Sequence, residues 1–160
     1  MTQRYRYQDL ISTTESLFAA AGLETALART VFEILVEAEL LGYDTHGLQF
    51  IPAYVKGIEA GTTARNGQPD VLRDGGGTLL VDARRLPGQW ATVWTFEAAL
   101  KRLPEHGVVT AVSQRTENIS CLATYAKRAA DRGVLAIVAT SAPSGGVVAP
   151  AGAWNTRRPT

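Results

Sequence analysis

The side chains best suited to chemistry in this chain lie in the turn Asp44-Thr45-His46-Gly47, inside the segment Glu37 to Tyr54. If Asp44 or Thr45 caps a helix, His46 falls in its first turn. There, free backbone N–H groups and the helix dipole favour a neutral imidazole and a nearby phosphate or carboxylate. Spacing alone favours a plainer role, in which His46 caps the turn or fills a polar niche. Tyr54 follows eight residues later on a similar helical face, so it lines the same pocket or joins the core. The other candidates read as structural. His106 beside Gly107 suits a solvated helix end, and Gly75 to Gly77 suit a hairpin turn more than a phosphate cradle, because a strand follows. Cys121 has no histidine nearby in sequence and reads as a small core residue, while Trp90 and Trp94 stand one helical turn apart, an ordinary packing interval.

These residues must be positioned by elements whose apolar spacing is legible. From Leu10, the residues Ile11, Leu17, Phe18 and Ala21 recur at helical intervals and Gly22 supplies a stop. A second helix places Ala26, Val31, Ile34, Leu35, Ala38 and Leu41 on one broad side, keeps Arg29, Glu33, Glu37 and Glu39 polar, and closes at Gly42. A third is expected to start at Asp44 or Thr45, carry Ile51, Val55 and Ile58, and end at Gly61. Residues 1–61 thus form a helical segment.

The texture then changes. Val71-Leu72 and Thr78 to Val81 read as short strands around the glycine turn, and a helical pattern runs through Trp90, Val93, Trp94, Ala98 and Leu103. Val108 to Val112, Leu122 to Ala130 and Val134 to Ala139 then read as strand, helix and strand, a βαβ pattern. The expectation is one domain over residues 1–160, with an α/β part at 62–140 and an irregular tail at 141–160 rich in Gly, Pro and Ala. The chain reads as cut off before a final helix or strand. No G-x-G-x-x-G or P-loop follows a strand, so a nicotinamide cofactor would not be held by a standard Rossmann turn.

Composition narrows the class. A chain of 160 residues, 46% hydrophobic and 19% charged, can bury a core without staples. Sixteen basic and fifteen acidic residues are scattered to a net charge of +1, which argues against nucleic acid as a partner. The single cysteine excludes an internal disulfide, and no paired Cys/His spacing suggests a metal site. No apolar signal core or membrane-length run is present, so a cytoplasmic location without membrane contact is expected.

The string Glu37-Ala38-Glu39-Leu40-Leu41-Gly42-Tyr43-Asp44-Thr45-His46-Gly47, followed by Pro52, Tyr54 and Gly61, resembles the malate/L-lactate dehydrogenase-like NAD(P)-dependent oxidoreductases. In that family an acidic-alanine helix leads through a glycine to an Asp-Ser-His-Gly turn, then to proline, tyrosine and glycine. Val81-Asp82, Gly88-Gln89, Glu105-His106-Gly107-Val108, Tyr125-Ala126, Ala129-Ala130, Gly133, Val148-Ala149-Pro150 and Gly152 keep the family order, so the resemblance spans roughly residues 8 to 152. It implies a non-Rossmann α/β fold, truncated here, in which an N-terminal helical segment precedes a mixed α/β part. It also implies a homodimer and hydride transfer between NAD or NADP and a small 2-oxo, 2-imino or 2-hydroxy acid. Thr45, His46 and Gly47 then match the cofactor-contacting turn, with His46 also a catalytic candidate, and Phe50 and Tyr54 fall on the substrate pocket.

Three positions depart from the family pattern. Alignment on Tyr125-Ala126 puts Asn118 where the family carries its proton-transfer histidine, and Ser120 where it carries a glycine. An amide donates a hydrogen bond but does not titrate near neutral pH, so Asn118 stands as the altered catalytic position, with Glu117 beside it. Phe50 replaces a frequent arginine, and with it a bidentate grip on a carboxylate. The alternative these departures imply is a catalytically impaired or non-catalytic family member acting as a binding or oligomerisation module.

Overall fold

Three helices, α1 (Tyr7–Ala20), α2 (Thr25–Leu40) and α3 (Ile51–Glu59), open the chain in a computed structural model that describes residues 5–141. α2 buries Leu27, Ala28, Val31, Phe32, Ile34, Leu35, Val36 and Ala38. Such a spread covers most of the helix circumference, wider than one amphipathic face, because α1 packs on one flank and later helices on another. Phe18, Leu23, Leu27, Val31, Leu35, Ile58 and Leu86 form the core at this junction, with Phe50, Tyr54 and Trp90 partly buried against it.

The expected third helix is displaced. Asp44–His46 and Leu48–Phe50 are two separate 3-10 turns, and the α-helix starts only at Ile51, with no side-chain cap at its N-terminus. Glu39 explains the break. Its Oε1 accepts the Leu48 N–H at 2.8 Å, and its carboxylate occupies the space a Cβ on Gly47 would need. The local bond to Glu39 therefore competes with continuation of the helical ladder, and His46 does not sit at an α-helix N-terminus.

Beyond α3, strands β1 (Asp70–Asp74) and β2 (Thr78–Asp82) form the expected hairpin around Gly75 to Gly77. Helices α4 (Gly88–Leu100) and α5 (Leu103–His106) then carry the chain to β3 (Thr110–Gln114), which pairs parallel to β2 from Thr78 opposite Thr110 to Asp82 opposite Gln114. The βαβ unit is thus β2, α4–α5, β3, one step earlier than expected. α6 (Leu122–Ala130) has the expected bounds. Val134 to Ala139 forms no strand among the described residues, and Leu135 and Ile137 are 93% and 94% exposed. An apolar β-branched run becomes a strand only when a neighbour takes its backbone hydrogen bonds, and β3, the adjacent sheet edge, does not pair with it. The tail from 142, including Val148-Ala149-Pro150 and Gly152, lies outside the described residues. No described helix is long and apolar enough to cross a membrane.

The exits of β2 and β3 are tied together, and this tie aims the loop that follows β3. Asp82 is 5% exposed and accepts hydrogen bonds from the Arg115 guanidinium, through Nε at 2.8 Å and Nη2, and from the Arg84 N–H at 2.8 Å. Backbone bonds from Ala83 N–H to Gln114 O and from Arg85 N–H to Arg115 O continue the seam, at 2.9 Å each. The Arg115 contact, aided by the Arg84 N–H, holds the Asp82 carboxyl below its ordinary pKa.

A depressed carboxylate stabilises the fold above its unfolded pKa of about 3.9, and that contribution is lost as pH falls towards the folded value. Asp82→Asn is therefore expected to lower the urea midpoint at pH 7 and to converge with the parent protein at the acid end of a pH series. A constant gap at every pH would contradict this.

Candidate active site

Tyr54 on α3 reaches across to the loop after β3. Its hydroxyl donates to Asn118 Oδ1 at 2.8 Å and accepts from Gln89 Nε2, also at 2.8 Å. Gln89 stands in the first turn of α4 and is 1% exposed, so burial fixes its side chain. Desolvation pushes the Tyr54 pKa far above the ordinary tyrosine value, opposed in part by the Gln89 bond, and the phenol is a neutral donor throughout the physiological range.

These groups line a cleft of about 260 Å³ together with Phe18, Phe50, Ile58, Gly88 and Glu117. Its wall is mostly apolar with a few convergent polar groups, the usual make-up of a small-molecule site. The Phe50 ring stacks on Tyr54 at 5.7 Å between centroids, and His46 meets the Phe50 edge at 6.1 Å. A run of rings therefore links the 3-10 turns to the cleft.

The loop holding Asn118 is fixed from three sides. Ser120 N–H donates to Asn118 Oδ1 at 2.8 Å, Ser120 Oγ donates to the His46 carbonyl, and Tyr125 Oη donates to the Ile119 carbonyl at 2.6 Å. Ser120 has φ 62°, a left-handed conformation that glycine adopts at low cost, and it is the position that the sequence alignment matched to a glycine. Gly88 completes the clamp. A Cβ there would collide with the backbone carbonyls of Glu117 and Asn118, so only glycine lets α4 approach this loop.

The structure thus brings Phe50, Tyr54 and Asn118 to one cleft and sets His46 at its rim through Phe50. Thr45 and the His46 ring are exposed, with Thr45 Oγ1 2.9 Å from His46 Nδ1, and neither lines the cleft. Gly47 is buried against Glu39. Sequence reasoning missed Gln89, Ser120 and Glu39 as site-building residues. The Gly88-Gln89 pair stood out in the sequence, but nothing local signals that the amide spans to Tyr54. Cys121 is buried, as its type suggested, and His106 packs over Gly76 with Nε2 3.8 Å from Glu105.

A nicotinamide cofactor can be matched to these residues only along one edge. The exposed Thr45 hydroxyl and His46 imidazole suit hydrogen bonding to an amide or phosphate oxygen. Among the described residues no glycine-rich strand-to-helix turn offers a backbone cradle for a pyrophosphate, and no cluster of three His, Cys, Asp or Glu side chains could hold a metal.

Comparison with known proteins gives the family and the fold. A family model described as malate/L-lactate dehydrogenase matches residues 5–158. Hydroxycarboxylate dehydrogenase B of Escherichia coli O157:H7 is 26% identical over 147 residues, which cover 92% of this chain and 41% of that protein. Ureidoglycolate dehydrogenase (NAD(+)) of the same organism is 28% identical over 123 residues, covering 77% and 35%. The structure of malate dehydrogenase from Pyrococcus horikoshii OT3 superposes with a TM-score of 0.78 at 26% identity, over 82% of this chain and 38% of that one. The chain therefore spans about 40% of the length of these relatives.

Two substitutions test the clamp. Gly88→Ala is expected to cost about 1–3 kcal/mol in urea unfolding, because backbone carbonyls cannot yield as a side chain can. Ser120→Gly exchanges about 1 kcal/mol of left-handed strain for about 1 kcal/mol of lost hydrogen bond, and should stay within about 1 kcal/mol of the parent. A neutral Gly88→Ala would show that the close approach does not constrain the fold.

Proposed function

The chain belongs to the malate/L-lactate dehydrogenase family, and from that membership we propose that it serves reversible hydride transfer between NAD(P)H and C2 of a small 2-oxo, 2-imino or 2-hydroxy acid. The observation carrying this reading is the convergence of Phe50, Tyr54 and Asn118 on one cleft beside the Thr45-His46 turn. The hydride would come from the bound nicotinamide, with Thr45, His46 and Gly47 along its edge. The substrate would lie in the cleft with its carbon chain against Phe50 and Ala53 and its reacting oxygen towards Asn118. A homodimer is the expected assembly, and residues 1–160 are read as one folding unit.

Reduction of a carbonyl also needs a proton for the developing alkoxide. Asn118 supplies a hydrogen bond without a titratable proton, and Tyr54 is held neutral by burial. The chemistry proposed is therefore slower than with a titrating acid at position 118, by a factor on the order of 10²–10⁴. The same observation favours a second reading, in which the cleft binds its ligand without turning it over.

The test is to titrate NADH and NADPH fluorescence with the purified protein, then follow absorbance with pyruvate, oxaloacetate and a cyclic imine. Cofactor binding with slow turnover is expected, and Asn118→His should raise the rate by about 10²-fold or more. Binding without turnover in both proteins supports the second reading, and neither binding nor turnover contradicts both.

A further inference from the structure

One backbone amide sets the polarity of the whole hydrogen-bond run in the cleft. Ser120 N–H can only donate, and it points at the Asn118 side chain at 2.8 Å, so the atom it meets is the oxygen. Reversing that amide would set two donors face to face. With Oδ1 fixed there, the Tyr54 hydroxyl, also 2.8 Å from Oδ1, must give its hydrogen to Asn118. It must then accept from Gln89, which fixes Nε2 of Gln89 towards Tyr54. The run reads Gln89 N–H to Tyr54 O–H to Asn118 Oδ1, with Ser120 N–H meeting the same oxygen. Both lone-pair directions of Oδ1 are taken. Among the described residues the Nδ2 end of Asn118, a residue lining the cleft, has no hydrogen-bond partner and is left to serve a ligand.

The lining residues also limit what that ligand is. Among the described residues they include no lysine, arginine or histidine, while Glu117 contributes an acid and Phe50 and Ala53 contribute apolar surface over the buried Phe18 and Ile58. A carboxylate finds no cation among these described residues and faces Glu117, so each one a ligand carries is a cost, and a dicarboxylate bears it twice.

We propose that Asn118 Nδ2 is a hydrogen-bond donor of fixed polarity that takes a carbonyl oxygen of a small, apolar-bodied oxo compound, selecting it over a dicarboxylate. This rests on reading the cleft as the substrate site. The donor carries no titratable proton, so its capture of the oxygen is independent of pH between about 6 and 8.

The experiment is ¹⁵N NMR of the intact chain, following the Asn118 side-chain NH2 with pyruvamide and with oxaloacetate as probes. Pyruvamide is expected to move both Asn118 amide proton signals, with an affinity unchanged between pH 6 and 8 and at least tenfold tighter than for oxaloacetate. Asn118→Asp keeps an acceptor for Tyr54 and Ser120, and so holds the loop, but it loses the donor and should weaken pyruvamide at least tenfold. If signals from Gln89 and Phe50 move while those of Asn118 do not, or if Asn118→Asp binds pyruvamide as well as the parent, the donor role is overturned and the cleft remains the substrate site. If no cleft signal responds to either probe, the donor role and the substrate-site reading fall together.

Discussion

The hydrogen bond from Tyr54 to Asn118 joins residues 64 positions apart and is the contact around which the cleft is assembled. It ties the last helix of the opening segment to the loop leaving the sheet, and Gln89 brings the start of α4 to the same hydroxyl. Three separately built pieces of the chain are thus brought to one phenol. Because the phenol is half-buried and neutral, it makes two directional bonds without any ionisation to disturb them.

The rest of the architecture explains why those pieces arrive where they do. α2, buried on most of its surface, fixes the direction of α1 and α3 through the core at Phe18, Leu27, Val31 and Ile58. The parallel pairing of β2 with β3 brings the two strand exits side by side, and Asp82 with Arg115 locks them. From those exits depart α4, carrying Gln89, and the loop carrying Asn118. Gly88 lets the two approach to backbone contact. Arg84, Arg85, Arg115 and Ser120 all take left-handed conformations around this seam, so local strain is concentrated beside the cleft and is held there by the surrounding hydrogen bonds.

Much of this was legible in the sequence where local physics decides. α6 has the bounds its apolar spacing and Gly133 predict, and the hairpin at Gly75 to Gly77 follows from turn chemistry. The start of α3 was not legible, because the break at Gly47 depends on Glu39 reaching back from α2. Val134 to Ala139 has strand composition but no pairing partner among the described residues, a fact no local pattern carries. The site divides in the same way. Phe50 and Tyr54 could be named from helical spacing and family resemblance, and the left-handed Ser120 agrees with an alignment that put a glycine there. Gln89 could not be assigned its role, since a buried glutamine is recognised only once its distant partner is in place.

The central claim is that Tyr54 and Asn118 act as one unit, and a double-mutant cycle measures this directly. Urea unfolding of Tyr54→Phe, Asn118→Ala and the combined variant should give a coupling energy of about 1 kcal/mol, since the second substitution no longer breaks a bond the first has removed. Losses that add to within about 0.3 kcal/mol would mean the two side chains do not interact in solution, and would contradict the account of the cleft.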